Sequence, residues 1–546
     1  MTWIAAMLVL VSSHNQPLPG GVVATAAMVP MRDNVKLSVL IFTPPGKGPW
    51  PVLLEQRYAS VDGEASRQRY ARLAAAGFVV AAANFRGSQK SEGTWVGYRA
   101  LGWGELKDGY DLVEWLAGQP WSTGKIGTFG GSQAGFAQNF LAVTRPPHLV
   151  AQHMTDTGLS LFQEGYRIGG TTRPVRFRQM DSVCRVPSHN RDLVAEWYRH
   201  PNYDDYWMAE DCSRHFEKMD VPCFTIGSWF DFMNVGSVDS FVGRQHHGGS
   251  NSKGNQQLII GPWAHGGSWA NSAKVGEMTY PDNARFNVEE HVIRWFNHHL
   301  KGIDNGIAKD PTVRYFVMGA VGEQGAPGNI YRQANNWPVP AKESAYYLRQ
   351  GGILGTSKPI EEQSSTSYKA DPFNPASVGK NVRAFPGAMD AQAFEREPNV
   401  LTFTSPVLDK PVEWTGKIRA ELMVSSTAPD SDFIVRVSDV YPDGRSILLV
   451  DYVRRARYRE GFDKVSLMKA GAIHPINFDV GWISQIFNAG HRIRVTVCST
   501  AAPFYEPNPN TGGPLTEEFP ADAMVGINTI YHQAKNASRI LAPVCE

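Results

Sequence analysis

Three short apolar runs in this chain end in glycine or proline and then present a serine, an aspartate and a histidine. They are TFGGSQAG with Ser132, TIGSWFD with Asp231 and IIGPWAH with His265. A serine hydroxyl is a weak nucleophile until a base takes its proton during attack, and a neutral imidazole suits that task near neutral pH. A carboxylate on the other ring nitrogen fixes the tautomer and stabilises the imidazolium that forms. These residue types predict acyl transfer through a serine ester, with Ser132 as nucleophile, His265 as general base and acid, and Asp231 orienting it. Gly130 and Gly131 before the serine and Gly135 after it suit a sharp strand-to-helix elbow, although Ala134 stands at the last place of the usual G-x-S-x-G pattern. Singly, each motif reads as an ordinary turn, loop cap or loop histidine. The ordered set at three strand ends carries the expectation.

The oxyanion of a tetrahedral intermediate needs two hydrogen-bond donors. One is expected from the backbone amide of Gln133, the other from Tyr58, which closes the run PVLLEQRY. An aromatic ring packed on the rim is the alternative for Tyr58. Trp229, Phe230, Met233 and Trp263 flank the acid and the base and are expected to wall the acyl site. A Glu164 carboxylate facing the cleft would bind a substrate ammonium; a solvated helix-face glutamate is the other reading.

These loops converge only if a fold brings them together. From Val29 onward, β-branched runs alternate with helical patterns at Ala65 to Ala76, Asp108 to Ala117 and Gln133 to Val143, which is the punctuation of an α/β sheet. In such a sheet, loops at the carboxyl ends of the strands share one crevice. Serine, then aspartate, then histidine is also the chain order of the α/β-hydrolase triad. After Thr144 the alternation lapses, and we expect a helical cap at 145–219 inserted between core segments 25–144 and 220–311. From about Thr312, runs such as GKIRAELMVSS and GHRIRVTVCS alternate apolar and polar residues without intervening helices, predicting a β-sandwich of jelly-roll type over 312–546.

Composition narrows the function classes. At 546 residues the chain is long enough for two or three cores. Lys plus Arg (53) nearly cancel Asp plus Glu (52) with no block of like charge, so a nucleic-acid partner is not signalled. Cys184, Cys212, Cys223, Cys498 and Cys545 include no C-x-x-C pair, which points away from a zinc ribbon; a Cys184–Cys212 disulfide is one option in an oxidising compartment. Ile4 to Val11 is too short to span a bilayer, and it reads equally as a signal-like segment or a frayed terminus, leaving localisation open. His246-His247 and His298-His299 point about 100° apart on a helix and are not expected to share a metal. No metal or cofactor is expected, and oligomeric state is left open.

Together MVPMRDNVKLSV, FRGSQKSEGTW, DGYDLVEWLAGQPWSTGKIGTFGGSQAG, GSWFDFMNVG, IIGPWAHG, RWFNHHLKGIDNG and DSDFIVRVSDVYPDG resemble the cocaine esterase, α-amino acid ester hydrolase and X-Pro dipeptidyl-peptidase family of serine hydrolases. The likeness runs from Met28 to Gly512. It implies an α/β-hydrolase core, an inserted helical cap and a C-terminal jelly roll. It also implies a triad at Ser132, Asp231 and His265, and an oxyanion hole at Tyr58 and the Gln133 amide. Family members divide among ester cleavage, β-lactam side-chain acyl transfer and dipeptide removal, so a small ester or amide is the expected substrate, with ester cleavage preferred. A framework retained for binding alone is the competing class. Three departures stand out. Arg57 directly precedes Tyr58 where the family often reads R-x-P-Y; D-x-R-G is Asn84-Phe85-Arg86-Gly87; and Gln133-Ala134 follows the serine where an aromatic is common.

Overall fold

The computed structural model describes residues 9–10, 18–172, 179–379, 387–515 and 519–545. Of the signal-like run Ile4 to Val11, only the short strand β1 (Val9–Leu10) lies among the described residues. The first layer is built from β2 (Val23–Pro30), β3 (Lys36–Thr43), β4 (Trp50–Arg57), α1 (Glu64–Ala75), β5 (Val79–Asn84), α2 (Asp108–Ala117), β6 (Ser122–Gly131), α3 (Gln133–Thr144) and β7 (Leu149–Thr155). It continues after the cap with β8 (Cys223–Phe230), α5 (Asn234–His247), β9 (Gln256–Ala264), the small hairpin β10 (Lys274–Val275) and β11 (Met278–Thr279), α6 (Val288–His299), β12 (Val313–Val317) and β13 (Ile330–Ala334). The cap's main helix is α4 (Ser188–Arg199).

The sheet runs in the order β1-β2-β3-β5-β4-β6-β7-β8-β9-β12-β13. Strands β5, β4, β6, β7, β8, β9 and β12 are mutually parallel. Both faces are covered, so β5 (VVAAAN) and β8 (CFTIGSWF) are buried at every position, as continuous apolar strands of parallel sheets are. Tyr70 and Leu73 of α1 join Val292, Trp295 and Phe296 of α6 over one face, while Leu112 and Leu116 of α2 and Leu141 of α3 pack the other. This is the α/β-hydrolase core, and the carboxyl ends of β4, β6, β7, β8 and β9 open on one crevice.

Two boundaries differ from expectation. Strand β7 falls at the start of the stretch read as cap, so the cap begins after Thr155 rather than at residue 145. Polar residues disguised this strand, because their partners lie elsewhere in the chain. Gln152 donates to Thr128 Oγ1 (3.1 Å) and Gln138 O (2.9 Å), and His153 Nε2 lies 3.2 Å from His291 Nδ1. At the other end, β12 pairs parallel with β9 and antiparallel with β13, so the first sheet continues past residue 311 to Ala334. A hairpin-like pair of strands without a helix between them has the same pattern as a sandwich strand pair.

The C-terminal β-sandwich spans strands from Lys342–Arg349 to Arg539–Cys545, with Val412–Ser426 and His474–Phe487 as its long antiparallel pair. It grips the core through α5: Asp239 Oδ1 accepts from Trp482 Nε1 at 2.9 Å, and Asp239 Oδ2 accepts from Lys417 Nζ at 3.2 Å. All five cysteines are free thiols, so the optional Cys184–Cys212 bridge is not formed. No helix among the described residues is long and apolar enough to cross a membrane.

Candidate active site

Ser132 sits between β6 and α3 with φ 55° and ψ −116°, a left-handed backbone that side chains rarely adopt. Its amide donates to Thr155 O (3.0 Å) and Asp156 O (3.2 Å), fastening the elbow to the end of β7. The glycines around it are dictated by contact. A Cβ on Gly131 would lie 2.0 Å from Thr155 Oγ1, and one on Gly135 would lie 2.7 Å from Thr157 Cβ. Ala134 fits at the last place of the elbow pattern because Gly130, with φ 117°, leaves it room: a Cβ there would approach Ala134 Cβ to 2.8 Å.

The structure brings Ser132, His265 and Asp231 into one line. His265 Nε2 is 2.9 Å from Ser132 Oγ, and His265 Nδ1 is 2.9 Å from Asp231 Oδ1. Asp231 Oδ1 also accepts from the Met233 amide at 3.1 Å, which fixes the buried carboxylate. This arrangement lets imidazole take the serine proton while the carboxylate holds the tautomer.

Tyr58 follows β4 and is packed by Phe85 (5.8 Å), Trp95 (5.9 Å) and Tyr98 (6.2 Å), each edge-on to its ring. The amide of Gln133 opens α3. Gln133 Oε1 accepts from the Ala59 amide at 2.8 Å, tying the tyrosine loop to the serine elbow. That side-chain link is not visible in the sequence.

The expected pocket walls mostly face elsewhere. Trp263 packs under α6 and donates to Ala284 O at 2.9 Å, and Phe230 is buried against Tyr280. Trp229 is buried and donates to Phe316 O at 2.7 Å, although it borders a small cavity of about 40 Å³ behind Asp231. Met233 is buried in the apolar cluster that joins the cap to Phe136. The aromatic ring beside the imidazole is Phe232, 4.7 Å from His265. Residues 229 and 230 still belong to a strand covered on both faces, and the chain turns toward the crevice only after them.

Glu164 is also displaced from its expected role. Its carboxylate is wedged beside Gly158 and Gly236 and accepts from the amides of Leu159 and Ser160 (3.0 Å to the latter). Burial pushes its acid up to about 8, and it borders neither the cavity behind Asp231 nor the one beside Ser132.

Asp156, at the end of β7, escaped the sequence reading. It adopts φ 46°, accepts from Ser228 Oγ at 2.7 Å and accepts from the Gly266 amide, next to His265, at 2.7 Å. One ligand atom from each of Asp156, Asp231 and His265 falls within 4.8 Å of the others. Burial, then the Asp231 charge, lifts the Asp156 acid to about 7. The rule that singled out Asp231, an acid at a strand end, applies equally to Asp156 once β7 is recognised.

Comparison with known proteins matches the chain to a family. Residues 33–184 and 179–267 match the X-Pro dipeptidyl-peptidase (S15 family) model, and residues 305–541 match the X-Pro dipeptidyl-peptidase C-terminal non-catalytic domain. The chain belongs to the S15 family. Like its family, this S15 chain is a serine hydrolase. It is 29% identical to the cocaine esterase of Rhodococcus sp. (strain MB1 Bresler), over 96% of this chain and 98% of that protein. Its fold matches an α-amino acid ester hydrolase structure with a TM-score of 0.84 at 21% identity, covering 96% of this chain and 97% of the other. It also matches an aminopeptidase from a marine sediment Thaumarchaeota archaeon, with a TM-score of 0.82 at 20% identity and coverage of 98% and 99%. The S15 fold assignment thus spans core, cap and sandwich together.

Proposed function

We propose that this S15-family chain cleaves carboxylic esters of small acyl groups through an acyl-enzyme on Ser132. His265 takes the hydroxyl proton as Ser132 attacks the carbonyl carbon, then gives it to the departing alcohol. Asp231 holds the ring and stabilises its cation. The Gln133 amide and the Tyr58 hydroxyl are the donors for the oxyanion. Water activated by His265 then hydrolyses the acyl-enzyme and regenerates Ser132. The pair of 2.9 Å contacts on the two nitrogens of His265 carries this reading, since a base and its orienting acid at hydrogen-bond distance are what an activated serine needs.

Ester chemistry is also supported by the full-length similarity to cocaine esterase. Amide cleavage, as in X-Pro dipeptide removal or β-lactam acylation, is the second reading, favoured by the family model itself. A panel of p-nitrophenyl esters, amino acid esters and X-Pro amides separates the two. Ser132→Ala lowers turnover of an activated ester on the order of a millionfold and abolishes fluorophosphonate labelling. Near-normal turnover in that variant removes Ser132 from the mechanism.

A further inference from the structure

Beside Ser132 opens a cavity of about 120 Å³, bordered by Glu55 and Arg57 of β4, Arg69 of α1, Thr155, Asp156 and Trp269. That is roughly ten times the volume a single water needs. Its charges do not balance through hydrogen bonds. The buried Glu55 Oε2 already accepts from Arg69 at 2.9 Å and from the Tyr70 hydroxyl, while Arg69 lies over the Trp269 ring at 4.9 Å. Arg57 Nη1 stands 3.7 Å from Glu55 Oε1, an ion pair longer than a hydrogen bond, and its buried Nε–H has no partner among the described residues. The Nε–H of Arg69 is likewise buried without a partner. Asp156, the other acid on this wall, turns its two oxygens to Ser228 and Gly266.

A guanidinium with a buried, unpartnered Nε–H and only a long ion pair is under-satisfied, and a planar anion completes such a site. We infer that this cavity is an anion subsite of the active site, and that the preferred substrate carries a carboxylate which docks on Arg57, with Arg69 behind it. The inference rests on the reading of Ser132 as nucleophile and narrows it to a substrate class. A carboxylate can present two oxygens to the guanidinium fork, so docking fixes the direction of the scissile ester as well as adding affinity. A charge-assisted bond in this position favours the anionic substrate on the order of tenfold to a hundredfold in kcat/KM.

Two matched pairs of esters test this on the unaltered enzyme, each normalised to its hydroxide-catalysed rate. In the first pair the carboxylate is on the acyl half: p-nitrophenyl hemiglutarate against p-nitrophenyl pentanoate. In the second it is on the alcohol half: p-carboxyphenyl butanoate against its methyl ester. A tenfold or greater preference for the anion in either pair, weakened by high salt, supports the subsite and tells which half of the substrate enters it. In Arg57→Gln the anionic-to-neutral ratio falls by a similar factor, and Arg57→Lys keeps part of it. Equal or better turnover of the neutral member in both pairs overturns the subsite, as does an anion preference that survives Arg57→Gln. Failure to hydrolyse any of the four esters counts instead against the ester reading of Ser132.

Discussion

Replacing Asp156 with Asn changes one charge at the triad while keeping its hydrogen bonds. The Asn oxygen can accept from the Gly266 amide and its NH2 can donate to Ser228 Oγ, which turns to accept; both contacts are 2.7 Å in the parent. Asn also tolerates the left-handed backbone of this position, φ 46°. What disappears is a carboxylate whose acid is lifted to about 7. Once ionised, Asp156 adds a second negative charge that stabilises the His265 cation. With the two groups within 4.8 Å of each other and an effective dielectric of about 20, a full charge acts with at least roughly 3 kcal/mol, or about two pKa units. Near pH 7 only about half of that charge is present, so the expected effect is about one unit. The rising arm of kcat/KM against pH therefore moves to lower pH by about one unit in Asp156→Asn, measured with a neutral activated ester. Stability should respond as well. The unfolded chain releases this proton near the ordinary 3.8 and the folded chain near 7, so the parent loses stability as pH rises between those values. The Asn variant lacks that slope. Superimposable pH–rate profiles in a folded variant, or an arm displaced to higher pH, would refute the coupling of Asp156 to His265.

Tyr58→Phe removes the proposed second oxyanion donor and leaves the ring in its aromatic cage, so kcat is expected to fall by roughly a hundredfold to a thousandfold with KM little changed; an unaltered kcat assigns the ring to packing alone. Gly131→Ala forces a Cβ to 2.0 Å from Thr155 Oγ1, and thermal unfolding should report a loss of about 1–3 kcal/mol together with slower fluorophosphonate labelling. Glu164→Gln removes a buried acid lifted to about 8. Because the unfolded chain gives up that proton first, the parent's stability falls as pH rises from about 4.5 to 8, and the variant's melting temperature should be flatter over that span. Unchanged substrate turnover by Glu164→Gln, with amino acid esters included, separates this packing role from ammonium recognition. A chelator should leave ester turnover intact, because the acid–histidine cluster at the site is accounted for by hydrogen bonds rather than by a metal.

The parts of this molecule that were legible in the sequence share one property: their signal is local. The elbow glycines, the helix at Asp108 to Ala117 and each of the strand-end motifs that carry Ser132, Asp231 and His265 can be read within a dozen residues, and only their order adds the long-range step. The parts that were not legible depend on a partner far along the chain. Strand β7 looks too polar to be a central strand until Gln152 is seen to bond Thr128 and Gln138, and His153 to meet His291. Trp229 and Phe230 sit beside the acid in sequence, yet a strand covered on both faces buries both, and Phe232, past the strand end, takes the place beside His265. The same consideration orders the functional inferences. A buried polar group is tolerable only when satisfied, and the site contains groups that the chain satisfies at a distance and others, the Nε–H of Arg57 and of Arg69 among them, that it does not. Asp156 reaches across to Ser228 and Gly266 and so belongs to the triad's scaffold. The Nε–H groups of Arg57 and Arg69 find no acceptor among the described residues, which is why substrate is sought there: polar groups that the fold leaves unsatisfied next to a nucleophile are best explained by the molecule that the nucleophile attacks.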